Sequence, residues 1–152
     1  MTKAFAARFS FALLFGATFL TVGLTAAAAR AQNQCAMYNP IAMPASNEVS
    51  DTLTDKDIPL EKGGFARDYV INLSAGDQVA IDLTSDSFDT IVTLLAADGS
   101  TVGENDDGPD GSTNSLLFTR VTQTGRYIIR VHAFGATGGG AFKLKVTRLK
   151  PV

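Results

Sequence analysis

An acidic loop holds the residue types in this chain that could do chemistry. Residues 103–115 read GENDDGPDGSTNS and place three aspartates, three glycines and a proline within thirteen positions. Carboxylate, amide and carbonyl oxygens are the ligands that calcium prefers, six to eight of them at about 2.3–2.6 Å. The candidate ligands are Asp89, Asn105, Asp106, Asp107 and Asp110. The first of these precedes the neighbouring predicted strand and would approach the others if the intervening hairpin forms.

Two interpretations of this loop remain open. The EF-hand template fails, because a register that starts at Asn105 puts Pro109 at an acidic position and one that starts at Asp106 puts Gly108 there. The side chains could instead be solvated, or could cap the amides of their own turn. Extracellular modules often bind calcium at roughly 0.1–1 mM, so even a loose site would fill outside the cell. The loop is therefore either turn architecture or a weak calcium site.

The remaining reactive side chains do not predict catalysis. His132 is the only histidine, and strand alternation places it beside Arg130 on an outer face, which is typical of a solvated side chain. Cys35 is the only cysteine, and no neighbouring cation activates its thiol. One histidine and one distant cysteine do not supply the usual zinc ligands, and no phosphate-binding loop is present. We predict that the chain is not an enzyme, with no catalytic residue and no cofactor besides calcium.

β-Strands are the elements that must position these residues. Apolar and polar side chains alternate in RDYVINL, QVAIDLT, RYIIRVHAF and AFKLKVTRL, and this period of two is typical of half-buried strands. Asp98-Gly99 is a strong hairpin signal, and no segment after residue 32 has helical periodicity. The sequence predicts an all-β fold, an antiparallel jelly-roll-like β-sandwich of about seven to nine strands. The predicted inward side chains are Tyr69, Ile71, Leu73, Val79, Ile81, Leu83, Val92, Leu94, Tyr127, Ile129, Val131, Phe142, Leu144 and Val146.

The first 31 residues predict a secretory signal peptide. Lys3 and Arg8 form a positive start, residues 9–29 carry no charge, and Ala29-Arg30-Ala31 places small residues where a signal peptidase cleaves. An uncleaved anchor is the alternative, since about 20 apolar residues can span a bilayer, but interspersed glycines and threonines favour cleavage. We expect no stable membrane span after cleavage and a secreted or periplasmic location. The predicted segments are a signal peptide at 1–31, a flexible leader at 32–47 and a β-sandwich domain at 48–150.

Charge narrows the classes of partner. The signal segment holds three of the thirteen basic residues and none of the fifteen acidic ones, so the mature chain carries a net charge of about −5. No basic patch remains, which argues against nucleic acid. A single cysteine also forbids an internal disulfide, so the fold must rest on its core or on a metal.

Four short features follow one another in a characteristic order. They are Asp68-Tyr69 at the start of a strand, Phe88-Asp89-Thr90 before the apolar strand that ends at Asp98-Gly99, Asn105-Asp106-Asp107, and Gly125-Arg126-Tyr127 ahead of GGGAFKLKV. In order and spacing, residues 48–147 resemble the bacterial pre-peptidase C-terminal domain. The resemblance implies a non-catalytic jelly-roll sandwich that accompanies secreted peptidases, and related collagen-binding modules bind calcium and protein fibres. The chain has no room for a peptidase, so we expect a free-standing copy.

The sequence thus favours a non-catalytic, secreted or periplasmic binding or accessory module, with calcium as a candidate stabiliser. Its partner would be a protein or a cell-envelope polysaccharide. No tryptophan is present, and Tyr69 and Tyr127 are expected to face inward, which weakens the carbohydrate interpretation. The alternative is a structural or assembly component tethered through its leader or Cys35, and an uncharacterised hydrolase is a remote third hypothesis.

Overall fold

The computed structural model describes residues 38–109, 111–135 and 138–149. These residues form ten strands and no helix. None of them therefore belongs to a helix that is long and apolar enough to span a membrane. The predicted signal peptide and the first part of the predicted leader lie outside this range. The strands are β1 (Ile41–Ala42), β2 (Glu48–Leu53), β3 (Ile58–Pro59), β4 (Phe65–Leu73), β5 (Gln78–Thr84), β6 (Thr90–Leu95), β7 (Thr101–Asn105), β8 (Ser115–Arg120), β9 (Gly125–Ala133) and β10 (Gly140–Leu149).

The strands form two sheets. The first has the order β1-β4-β9-β6-β7, with β3 also paired to β4. The second has the order β2-β10-β5-β8. All pairs are antiparallel except β1 with β4. Eight strands are longer than two residues. The other two, β1 and β3, are too short to show an alternating pattern in the sequence.

The core lies between the two sheets, as the alternation predicts. All fourteen predicted inward side chains belong to the buried cluster, and burying each is worth roughly 1.5–3 kcal/mol. The Phe142 ring packs edge-on against Tyr69 and Phe88, with ring centroids 6.3 and 6.4 Å apart. Such aromatic contacts add about 0.5–1.5 kcal/mol each beyond buried area. The β-sandwich prediction is therefore confirmed.

The sandwich begins earlier in the chain than the sequence suggests. The compact unit that contains it starts at Pro40. Ile41 pairs with Tyr69 across β1 and β4, and the Met43 amide donates to the Val70 carbonyl at 2.9 Å. The predicted leader at 32–47 therefore overlaps the fold from Pro40 onward.

The glycines at the start of β10 are tightly packed. A Cβ atom added at Gly139 would lie 2.8 Å from the Leu53 carbonyl oxygen, and one at Gly140 would lie 2.5 Å from Ser87 Cβ. Gly140 also has a φ of +133°, which L-residues rarely adopt. Only glycine lets β10 enter the second sheet this close to its neighbours.

Candidate functional site

The acidic loop is attached to strand β8 by Asn105. The Asn105 Nδ2 donates to the Leu116 carbonyl at 2.9 Å, and its Oδ1 accepts the Asp107 amide at 2.7 Å. The Leu116 amide in turn donates to the Asp107 carbonyl at 3.3 Å. Both polar atoms of the Asn105 side chain are therefore used to hold the loop against β8.

The other predicted calcium ligands do not all come together. Asp106 and Asp107 have exposed side chains, and so has Asp89, whose carbonyl accepts the Phe134 amide at 2.8 Å. Asp110 lies outside the described residues. Within the described part of the chain, no group of three or more Asp, Glu, His or Cys side chains is placed to hold a metal. Because one candidate ligand is not described, the calcium site stays a prediction.

His132 lies on the outer face of β9 beside Arg130, but it is half-buried rather than solvated. Its Nε2 is 3.4 Å from Thr93 Oγ1, and Thr93 donates to Glu104 Oε2 at 2.7 Å. Burial lowers the pKa of His132, and the nearby Glu104 carboxylate only partly opposes this effect. A groove of about 450 Å³ borders the ring and is open to solvent. The His132 ring therefore contacts Thr93 on the outer face of the sheet. Cys35 lies outside the described residues.

A polar network that the sequence analysis missed joins the two sheets. Asp51 of β2 accepts a hydrogen bond from the Tyr69 hydroxyl of β4 at 2.8 Å. Asp51 also forms an ion pair with Arg67, which lies on β4 as well. Arg67 also contacts Asp57, with Nε and Oδ1 2.8 Å apart. Arg67 and Tyr69 are two residues apart on β4, so alternation places both on the inward face. The charge of Arg67 at an inward position is the sequence signal that could have revealed the network.

The charges of this network set the pKa values of its members. Burial pushes the pKa of Asp51 up, but the hydrogen bonds from Tyr69, the Thr52 amide and Arg67 outweigh it, so the pKa lies below its usual value. Burial and the Asp51 carboxylate raise the pKa of Tyr69. Burial lowers the pKa of Arg67, but the hydrogen bonds to Asp57 and Asp51 raise it by more, so the pKa lies above its usual value. The network is therefore built for an ionised Asp51 and a neutral Tyr69.

A second polar contact between the sheets is made by two buried hydroxyls. Thr90 Oγ1 of β6 and Ser115 Oγ of β8 are 2.7 Å apart. Ser115 Oγ also donates to the Thr90 carbonyl at 2.7 Å, and Thr90 Oγ1 lies 3.0 Å from the Thr113 carbonyl. These groups satisfy one another inside the fold, so they are not available to a ligand.

The β8 edge, residues 116–120, carries Phe118, the most exposed large apolar side chain on a described strand. Strand β8 ends the second sheet and pairs only with β5 among the described strands. Phe118 points outward with 59% of its surface exposed, and Arg120 beyond it is also exposed. An exposed aromatic on an edge strand is an unusual feature, because natural sheets usually protect their edges. We take this edge as the candidate functional site.

Comparison with known proteins agrees with the architecture. The pre-peptidase C-terminal domain of a collagenase from Bacillus anthracis superimposes with a TM-score of 0.54 at 10% identity, covering 72% of this chain and 95% of that one. PliG of Aeromonas hydrophila, a periplasmic inhibitor of g-type lysozyme, superimposes with a TM-score of 0.54 at 15% identity, covering 73% and 96%. A search of curated protein sequences found no match.

The family assignment rests on a sequence match within the sandwich. Residues 66–133, from β4 to the end of β9, match the model of the bacterial pre-peptidase C-terminal domain. The match includes the Asp68-Tyr69, Asn105-Asp106-Asp107 and Gly125-Arg126-Tyr127 features, and the resemblance inferred from them is confirmed. Residues 66–133 of the sandwich therefore match the bacterial pre-peptidase C-terminal domain.

Proposed function

We propose that the chain is a non-catalytic, secreted or periplasmic binding module whose partner is a protein. The observation that carries this proposal is that some polar and aromatic side chains are used within the fold while one aromatic side chain is exposed. Asp51, Tyr69 and Arg67 hold the fold together, whereas Phe118 is exposed on an edge strand. Aromatic side chains that stand exposed in this way are enriched where proteins bind one another.

The choice of a protein over a cell-envelope polysaccharide has two supports. The sandwich of the Aeromonas hydrophila protein, which is similar in fold, belongs to an inhibitor of a lysozyme, so this architecture can serve at a protein target. Both predicted inward tyrosines, Tyr69 and Tyr127, are buried at 0% and 5% exposure. They offer no stacking platform to a sugar ring.

Calcium at the acidic loop is a separate part of the proposal. The exposed carboxylates of Asp106 and Asp107 support it, because their oxygens face solvent and Asn105 already holds the backbone between them and β8. A bound ion would reduce the repulsion between these two charges. It would act on stability rather than on chemistry.

A binding assay tests the proposed function. The chain without its predicted signal, residues 32–152, would be immobilised and exposed to exported proteins of the source bacterium and, separately, to purified peptidoglycan sacculi. We expect saturable binding of a protein and no retention on sacculi. Saturable binding to sacculi alone would contradict the choice of a protein partner. Turnover of ester, glycoside or peptide substrates would contradict the non-catalytic assignment.

A further inference from the structure

The backbone of β8 faces two ways, and the register shows which residues face outward. In an antiparallel ladder, successive residues direct their amide and carbonyl groups alternately to the two sides of the strand. Both backbone groups of Leu116 bond to the acidic loop, away from β5. Phe118 and Arg120 have the same parity as Leu116, so their amide and carbonyl groups also face away from β5.

The described residues of the acidic loop make backbone contacts with only the first of these three positions. It takes the role of an added strand at Leu116, through Asn105 and Asp107. No described strand pairs with Phe118 or Arg120 on that side. The outward amide and carbonyl groups of Phe118 and Arg120 are about 6.8 Å apart along the strand, which is twice the rise per residue. A second extended strand has hydrogen-bonding groups at the same spacing and can therefore pair with them.

Side chains beside this backbone row define the chemistry of the missing strand. Phe118 lies opposite Ala80 of β5, whose small side chain leaves the aromatic ring standing above the outer face of the sheet. Arg120 lies opposite the uncharged Gln78, and no ion pair is found for its guanidinium among the described residues. An apolar side chain next to Phe118 and an acidic one next to Arg120 would complement both.

A second copy of this chain fits the edge poorly. A twofold pairing of two β8 strands that leaves the loop-bound Leu116 unpaired can set Phe118 opposite Arg120 of the other copy. The two Arg120 side chains would then lie at diagonal positions about 7–8 Å apart, where like charges repel. The acidic loop at Leu116 also stops such a ladder from extending in that direction.

We propose that the β8 edge binds an extended segment of a partner protein by strand addition, in which an apolar residue and an acidic residue two positions apart lie on the face that Phe118 and Arg120 share. This inference rests on the proposed binding function and names its surface and the class of its ligand. Backbone bonds to Phe118 and Arg120 supply the attachment, and the side chains of the same two residues supply the selectivity.

The test uses the synthetic nonapeptide Thr-Val-Thr-Glu-Thr-Val-Thr-Glu-Thr, in which valine and glutamate follow each other on one face of the extended strand. Hydrogen exchange of individual amides would be followed by nuclear magnetic resonance with millimolar peptide. We expect exchange to slow at least tenfold at Phe118 and Arg120, with no change at Leu117, whose amide already faces β5. A peptide with lysine in place of glutamate, or with N-methyl groups along its pairing edge, should give no protection. Protection at other amides only, or none at all, would overturn the proposal.

Variants separate the backbone from the side chains. Arg120→Gln removes the charge, and we expect peptide binding to weaken at least threefold. Arg120→Pro removes the outward amide as well, a change that an edge strand tolerates, and we expect binding to weaken at least tenfold. Ser50→Pro makes the equivalent change on β2, the other edge of the same sheet, and should leave affinity unchanged. Phe118→Ser should weaken binding at least fivefold, whereas Phe134→Ser, at a second exposed phenylalanine, should not.

The two proposals fail in different ways. If the exported protein partner still binds Arg120→Pro and Phe118→Ser with unchanged affinity, the β8 edge is the wrong surface although the binding function stands. If no exported protein binds the parent chain, the binding function itself is wrong. Dimerisation of the parent chain that Arg120→Pro abolishes would replace the partner segment with a second copy.

Discussion

Asp51 shows how one carboxylate can determine the stability of this sandwich. It lies on β2 of the second sheet and contacts Tyr69 and Arg67 of β4 in the first. Hydrogen bonds to a charged group are typically worth about 1.5–3 kcal/mol. Because the contacts cross from sheet to sheet, their loss weakens the packing of the whole sandwich and not only one strand.

Substituting Asp51→Asn should lower the free energy of unfolding by about 1–3 kcal/mol. The amide keeps the shape of the side chain but loses the negative charge that pairs with Arg67 and accepts the hydrogen bond from Tyr69. Urea denaturation monitored by tyrosine fluorescence would measure the change. Asp55→Asn, at an exposed carboxylate in the adjacent turn, is the matched control and should change stability by less than about 0.5 kcal/mol. Equal effects of the two substitutions would contradict the role of Asp51.

The same residue predicts a pH dependence. The folded state lowers the pKa of Asp51 below its usual 3.8, so the unfolded state binds the proton more readily. The stabilising contribution is therefore complete above the unfolded pKa and is lost as the pH falls through the folded one. The stability difference between the parent and Asp51→Asn should shrink between about pH 5 and pH 2. A difference that stayed constant across this range would show that the charge is not what matters.

At the scale of an element, the entry of β10 depends on its glycines. Gly140→Ala should destabilise the domain by at least about 2 kcal/mol, because it combines an unfavourable positive φ with a contact that must push Ser87 aside. Gly99→Ala isolates the first effect, since its φ is +85° and nothing lies within 4 Å of the added Cβ. It should cost about 1–2 kcal/mol. Thermal melts of both variants would compare the two effects, and equal losses would contradict the steric part of the argument.

The acidic loop can be tested as a calcium element. If calcium binds there at roughly 0.1–1 mM, millimolar calcium should stabilise the parent by about 1 kcal/mol and raise its melting temperature by a few degrees. Joint substitution of Asp106→Ala and Asp107→Ala should abolish this rise. Asp55→Ala should leave it intact. An identical melting temperature of the parent with calcium and with chelator would exclude the site.

Strand β8 illustrates what periodicity shows about an element and what it does not. NSLLFTRV predicts a strand, and the strand is present. Its sequence does not say that it lies at the edge of a sheet, or that Asn105 covers Leu116 and leaves Phe118 open. Those properties depend on which strands become neighbours, and neighbours are chosen by contacts between residues far apart in the chain.

For the molecule as a whole, stability should be independent of the redox state. Cys35 is the only cysteine, so the sandwich cannot contain an internal disulfide and must rely on its core. We expect the melting temperature of the chain without its predicted signal to be the same with and without dithiothreitol. A lower melting temperature under reducing conditions, together with a disulfide-linked dimer in non-reducing mass spectrometry, would instead support assembly through Cys35.

The sequence alone determined the all-β class and which side chains face the core, because strand alternation is a local property in which each side chain follows from its neighbours. The prediction for His132 was right about its face of β9 and wrong about its exposure, since burial depends on what lies beside it. The network of Asp51, Arg67 and Tyr69 was not predicted, because it joins residues of two different sheets. Only the tertiary structure decided how the strands are ordered, and in that order no described strand pairs with Phe118 or Arg120 on the outer side of β8.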